Sequence, residues 1–115
     1  MWEIDFFEKE NGRCPLQEFL DSLSPKKDLP FIMNAMNQLQ ELGNNLRRPH
    51  ADLLEDGIYE LRVKTQNGQF RFLYFFFNRE KIIFTHGIKK KTKKVPPKEI
   101  ELAKTYRSIY FELRK

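Results

Sequence analysis

The strongest constraint on the fold is the pair Asn67-Gly68, set between two stretches that read as β-strands, Tyr59–Lys64 and Gln69–Phe77. Asn and Gly enter left-handed backbone conformations at low cost, so the pair is suited to a two-residue hairpin whose twist matches that of the flanking strands. A hairpin commits this half of the chain to an antiparallel sheet. The stretch Phe70–Phe77 carries apolar residues on both of its faces, as a central strand covered on two sides requires. A third strand is expected over Lys81–Lys89, after a short polar turn near Asn78–Glu80.

Upstream, Trp2, Ile4 and Phe6 alternate with Glu3, Asp5 and Phe7, which predicts a strand over residues 2–8. Asn11-Gly12 turns the chain, and Pro15 suits the first turn of a helix with Leu16, Phe19, Leu20 and Leu23 on one face. Ser24-Pro25 stops that helix. Asp28 is placed to cap a second, with Ile32, Met36, Leu39 and Leu42 facing inward and Gly43 as the C-terminal cap. A loop is expected from Asn44 to Gly57. Pro96-Pro97 opens a last helix, whose stripe is Ile100, Ala103 (or Leu102), Tyr106, Ile109 or Tyr110, and Leu113. The expected order is β-α-α-β-β-β-α in one domain over residues 1–115. This is an α+β fold with an antiparallel sheet, a helix pair on one face and the C-terminal helix on the other.

Several function classes are set aside by composition. Cys14 is the sole cysteine, so neither an intramolecular disulfide nor a cysteine-based zinc site can form. The acidic opening MWEIDFFEKE does not read as a secretion signal, and the apolar run Phe72–Phe77 is far shorter than the ~20 residues of a membrane span. A cytoplasmic protein with no membrane partner is the expectation. The net charge of +5 is unevenly spread. Residues 1–45 hold four basic and eight acidic side chains, whereas residues 46–115 hold seventeen and eight. Such an asymmetry suggests a half that faces a polyanion, nucleic acid first, or else simply a solvated basic surface.

Two assumptions about the turns give a register. If Asn67-Gly68 is a two-residue turn, Lys64 faces Arg71; if Asn78-Arg79 is another, Arg71 faces His86. Lys64, Arg71 and His86 would then form one cationic row across three strands, with Arg62 beside Leu73 on the same face. Like charges placed opposite one another cost stability, so such a row suggests an anion site; the competing reading pairs one member with Glu60 or turns it to solvent. The sequence shows no carboxylate cluster for two metal ions, and no metal or other cofactor is expected. RNA can instead be cut by its own 2′-hydroxyl. That route needs a proton acceptor, cations for the developing phosphorane charge, and an acid for the 5′-oxygen. Arg71 suits phosphate clamping, His86 titrates near neutrality, and a lysine crowded by cations can also move protons; base and acid remain unassigned. The run Lys89-Lys90-Lys91-Thr92-Lys93-Lys94 has no acidic partner at helical spacing and reads as an RNA-backbone contact. Lys64, Lys89, Lys93 and Lys94 are thus candidate RNA contacts. Tyr106, Tyr110 and Trp2 are read as structural, and Cys14 as a small residue at least half-buried.

LEDGIYELR at Leu54–Arg62, QFRFLYFF, and THGIKKKTKKVPPKEIELA at Thr85–Ala103 resemble the phage-derived HigB-type branch of the RelE/ParE toxin superfamily. Ile88 and Val95 stand where that branch usually has Phe and Thr. The resemblance implies a RelE-like fold and an mRNA interferase acting on ribosome-bound mRNA. It also implies growth arrest, relieved by a cognate antitoxin that often carries a helix-turn-helix. By motif, the residues it implies for function are Arg62, Arg71, Lys90 and Lys91, with His86 as a further candidate. Tyr74 matches the motif but is expected to pack in the core. A gyrase-poisoning protein of the ParE type, or a non-catalytic RNA- or antitoxin-binding module, is the competing expectation. With Arg71 taken as exposed, Arg71→Ala is expected to abolish toxicity and leave the fold intact.

Overall fold

A computed structural model describes residues 1–24, 26–90 and 93–114. In chain order the elements are β1 (Glu3–Phe6), α1 (Pro15–Ser22), α2 (Leu29–Leu42), β2 (Ala51–Glu55), β3 (Ile58–Thr65), β4 (Gly68–Phe77), β5 (Lys81–Lys90) and α3 (Pro97–Glu112). Short 3-10 turns at Lys26–Asp28 and Gly43–Asn45 flank α2. The five strands lie in the order β1-β5-β4-β3-β2. The mixed α+β class, the helix pair and the central β4 agree with expectation. Two features of the sheet do not.

The segment expected to be a loop from Asn44 to Gly57 contains β2, which pairs with β3 and forms one edge of the sheet. Its sequence, ADLLE, has no period-two alternation because a bulge interrupts the pairing between Leu53 and Glu55. Asp56 and Gly57, at φ 49° and 77°, make the tight turn into β3. The other edge, β1, runs parallel to β5, so the sheet is mixed and not wholly antiparallel.

One face of β4 presents Phe70, Phe72 and Tyr74 to Leu16 and Leu20 of α1 and to Ile32, Met36 and Leu39 of α2. The other presents Leu73 and Phe75 to Ala103, Tyr106 and Tyr110 of α3, with Ile58, Ile83 and Val95 completing that layer. Tyr74, Tyr106 and Tyr110 are accordingly buried structural residues. Cys14 is half-buried. Trp2 packs on Phe76 with ring centroids 4.9 Å apart. Gly43 caps α2 at φ 53°, where a Cβ would strike the Trp2 indole, so the cap glycine is required by packing as well as by backbone. Two expected inward residues, Leu42 and Leu113, are half-exposed at the ends of their helices, and Asp28 makes no side-chain cap. Its carboxylate instead accepts a hydrogen bond from the Asn67 side chain at 3.2 Å, tying α2 to the β3–β4 turn.

That turn sits one residue earlier than expected. Thr65 pairs with Gly68 across Gln66-Asn67, and the Thr65 hydroxyl accepts from the Asn67 amide at 3.1 Å. Lys64 therefore faces Gln69, and Arg62 faces Arg71. A shift of two residues moves every partner and leaves each side chain on its face. The β4–β5 turn is a three-residue loop, with Asn78 and Arg79 both at positive φ and Phe77 opposite Lys81. One added residue would by itself put His86 on the helix-pair face. A bulge at Thr85, between the pairs Leu73↔His86 and Tyr74↔Phe84, returns His86 to the α3 face.

Candidate functional site

These registers lay three rows across β3, β4 and β5 on the face that carries α3. The outermost is Lys64–Gln69–Lys90, the next Arg62–Arg71–Ile88, and the third Glu60–Leu73–His86. The expected Lys64–Arg71–His86 row does not exist, because both turns differ from the assumed ones; the three residues run diagonally, one in each row. Arg62, Arg71, Lys64 and Lys90 nevertheless share one face toward the same end of the sheet. His86 lies deeper, beneath the first turn of α3.

Ion pairs organise this face. Glu60, 4% exposed, is flanked by two guanidinium groups. Its Oε2 accepts from Arg62 at 3.1 and 3.3 Å. Its Oε1 stands 2.7 Å from Arg71 Nε, but that N–H points off the contact, so the pair is held by charge and not by an aligned hydrogen bond. Arg71 Nη1 also donates to the Phe70 carbonyl at 3.3 Å. On its far side Arg62 meets Asp52 at 3.4 Å, and Asp52 meets Arg48 at 2.9 Å. Charges therefore alternate from Arg48 on the β2 side through Asp52, Arg62 and Glu60 to Arg71 at the sheet centre.

Arg71 is 7% exposed, which corrects its expected placement at the surface. Its pairing with Glu60 is the alternative that the sequence left open. Burial lowers its pKa, Glu60 opposes that, and Arg62 adds to it. Lys90 is pushed down first by partial burial and then by Arg71, with Glu60 pulling up and Arg62 down. The Lys90 ammonium donates to the Lys93 carbonyl.

His86 is enclosed. Its Nδ1 lies 3.0 Å from the Thr85 hydroxyl, its Nε2 lies 3.2 Å from Glu99 Oε1, and its ring stands edge-on to Tyr106. The Thr85 hydroxyl also donates to the Leu73 carbonyl at 3.3 Å, so the ring is held between that hydroxyl oxygen and the Glu99 carboxylate. Burial holds the imidazole below the usual histidine range, against the opposing pull of Glu99. Such a histidine fastens α3 to the sheet, and its nitrogens do not face the cations.

The lysine run is divided by the pleat. Lys90 points to the α3 face, whereas Lys89 pairs with Phe70 on the other and lies beside Gly68. Lys93 and Lys94 follow as exposed residues, and Lys91 lies outside the described residues. Sequence reasoning did not single out Asp52, Thr85 or Glu99. Glu60 stood in the quoted ELR motif and was named there only as a competing partner. Among the described residues no group of three or more His, Cys, Asp or Glu side chains is placed to hold a metal ion, and no helix is long and apolar enough to cross a membrane.

Fold and site together define a small α+β protein with a braced cationic cluster at one end of its sheet. Residues 18–108 match the family described as Phage derived protein Gp49-like, a span that takes in every residue of the cluster. The chain belongs to that family. No curated protein matches it.

Proposed function

We propose that this protein is the toxin of a type II toxin–antitoxin pair, of the HigB-type RelE-like branch, and that it cleaves mRNA on the ribosome. The observation that carries this reading is the convergence of Arg62, Arg71, Lys64 and Lys90 on one sheet face, with two carboxylates bracing the arginines. Membership of a phage-derived family and the motifs at Leu54–Arg62 and Thr85–Ala103 agree with it.

In this reading the RNA 2′-oxygen attacks the adjacent phosphorus as its proton passes to solvent water. The bond from phosphorus to the 5′-oxygen breaks, leaving a 2′,3′-cyclic phosphate and a 5′-hydroxyl. Charge grows on the non-bridging oxygens, and Arg62, the more exposed guanidinium, meets it, with Arg71 adding its field from behind. Lys90 supplies the proton for the departing 5′-oxygen. A lysine with a lowered pKa is the better donor, and partial burial provides that lowering first, with Arg71 and Arg62 adding to it. His86 holds the helix that closes the site. Lys64 and Lys93 contact flanking phosphates.

Purified protein added to ribosomes programmed with a defined mRNA tests the reading. Cleavage with 2′,3′-cyclic phosphate and 5′-hydroxyl ends, lost in Lys90→Ala, is expected. Intact mRNA alongside trapped gyrase–DNA complexes would overturn it in favour of a gyrase poison.

A further inference from the structure

Arg62 and Arg71 sit directly opposite each other in the β3–β4 ladder, an arrangement that like charges make unfavourable. Lys90, diagonal to Arg71 on the same face, adds a third cation. What makes the arrangement tenable is one carboxylate. Glu60 is less exposed than the other buried charged residues described, and each of its oxygens serves a different arginine. Asp52 holds Arg62 from the opposite side, so that this guanidinium is fixed between two carboxylates.

We infer that Glu60 is a positioning residue of this site: it aims Arg62 and Arg71 and sets the positive charge that an RNA phosphate meets. The catalytic consequence rests on the RNA-cleaving reading above, whereas the electrostatic part stands on the geometry alone. The Oε1–Nε contact is close but not aligned, so Glu60 holds Arg71 by charge while Nη1 stays bonded to the Phe70 carbonyl. Glu60 also opposes the neighbours that lower the Lys90 pKa. Removing its charge while keeping its shape therefore has effects of opposite sign. The cluster gains net positive charge and binds a polyanion more tightly, but its guanidinium groups lose their aim and Lys90 titrates at a lower pH. Misaimed catalytic groups can cost about 100-fold in rate.

Glu60→Gln and Glu60→Asp, each checked for folding by circular dichroism, separate charge from aim. The first probe is a single-stranded RNA 12-mer with every sugar 2′-O-methylated, which cannot be cleaved, read by fluorescence anisotropy at several salt concentrations. The second is the Lys90 ammonium titration followed by NMR. Glu60→Gln is expected to bind the 12-mer at least about threefold more tightly, with a steeper salt dependence, and to shift the Lys90 titration to lower pH. Cleavage of ribosome-bound mRNA is expected to fall tenfold or more in kcat, with KM unchanged or lower, and its alkaline limb to move to lower pH. Glu60→Asp is expected to keep wild-type binding and titration and to recover part of kcat. Unchanged or weaker binding with an unmoved Lys90 titration, in folded Glu60→Gln, would overturn the inference. If Glu60→Gln does not fold, the same binding and titration comparison is made on Asp52→Asn, which frees one side of Arg62, and tighter binding there is the supporting result. A wild-type protein that cleaves no RNA sinks the proposed function, and the binding and titration arms still decide the role of Glu60.

Discussion

Arg71→Ala distinguishes a buried, braced arginine from a surface one. In the folded protein Arg71 is 7% exposed and lies 2.7 Å from Glu60, itself 4% exposed. Removing one partner of a buried ion pair costs about 3–5 kcal/mol, chiefly because the other charge is left in a poorly solvated place. Here Glu60 keeps Arg62 on Oε2 at 3.1 Å, which puts the expected cost at the lower end, about 3 kcal/mol. For a domain of this size that corresponds to a fall in Tm of about 12 °C, at ~4 °C per kcal/mol. Thermal melting by circular dichroism reads it. Glu60→Leu/Arg71→Met removes both charges and fills the space, so it is expected to melt well above Arg71→Ala, since apolar replacement of a buried pair is often neutral or better. An Arg71→Ala protein that melts within about 2 °C of wild type, or a double variant that melts no higher than the single one, would mean that Arg71 and Glu60 are not a buried, mutually dependent pair. Loss of activity in Arg71→Ala is thus not evidence of phosphate contact unless folding is measured beside it.

Three further outcomes follow from the structure. His86 has its pKa lowered by burial, so the unfolded chain binds the additional proton first as pH falls. Its contribution to stability is therefore present above the unfolded value of about 6.5 and lost as pH drops from there toward the folded pKa, so Tm is expected to decline below pH 6.5 more steeply in wild type than in His86→Gln; equal slopes would contradict this. Gly43→Ala drives a methyl into the Trp2 indole at a left-handed cap, and is expected to cost about 2–4 kcal/mol with a shift in emission of the single tryptophan; unchanged emission would count against the packing described. Lys90→Ala touches little of the core and is expected to change stability by less than about 0.5 kcal/mol in a denaturant titration, which makes it the clean probe of function that Arg71→Ala is not.

The helices were legible because their stripes follow a 3.6-residue period: Leu16 and Leu20, then Ile32, Met36 and Leu39, then Ala103, Tyr106 and Tyr110 are all buried. Leu42 and Leu113 fit the same period but fall at the end of α2 and just past α3, where both are exposed. The double-sided burial of β4 was legible in Phe70–Phe77 for the same kind of reason. Strand β2 was not, since five residues with a bulge show no alternation and an edge needs less apolar surface. Its turn, Asp56-Gly57, was the usable signal. Registers were the weakest inference. The Thr65 hydroxyl moved one turn, a third residue lengthened the other, and the bulge at Thr85 restored the face that the longer loop would have reversed. Residue types and faces in the site thus survived the error, whereas partners did not. The burial of Arg71 and the enclosure of His86 by Glu99 arise from contacts between rows and from α3, which no local pattern encodes.

Whether the braced cations cut mRNA is decided in cells. Brief induction of the protein in bacterial cells, followed by primer-extension mapping of abundant transcripts, tests it most directly, with Lys90→Ala and Arg62→Ala induced to equal folded levels. Discrete cuts within coding regions are expected in wild type, and their loss in both variants. Growth arrest with full-length transcripts, or cuts that persist in both variants, would contradict cleavage by these cations.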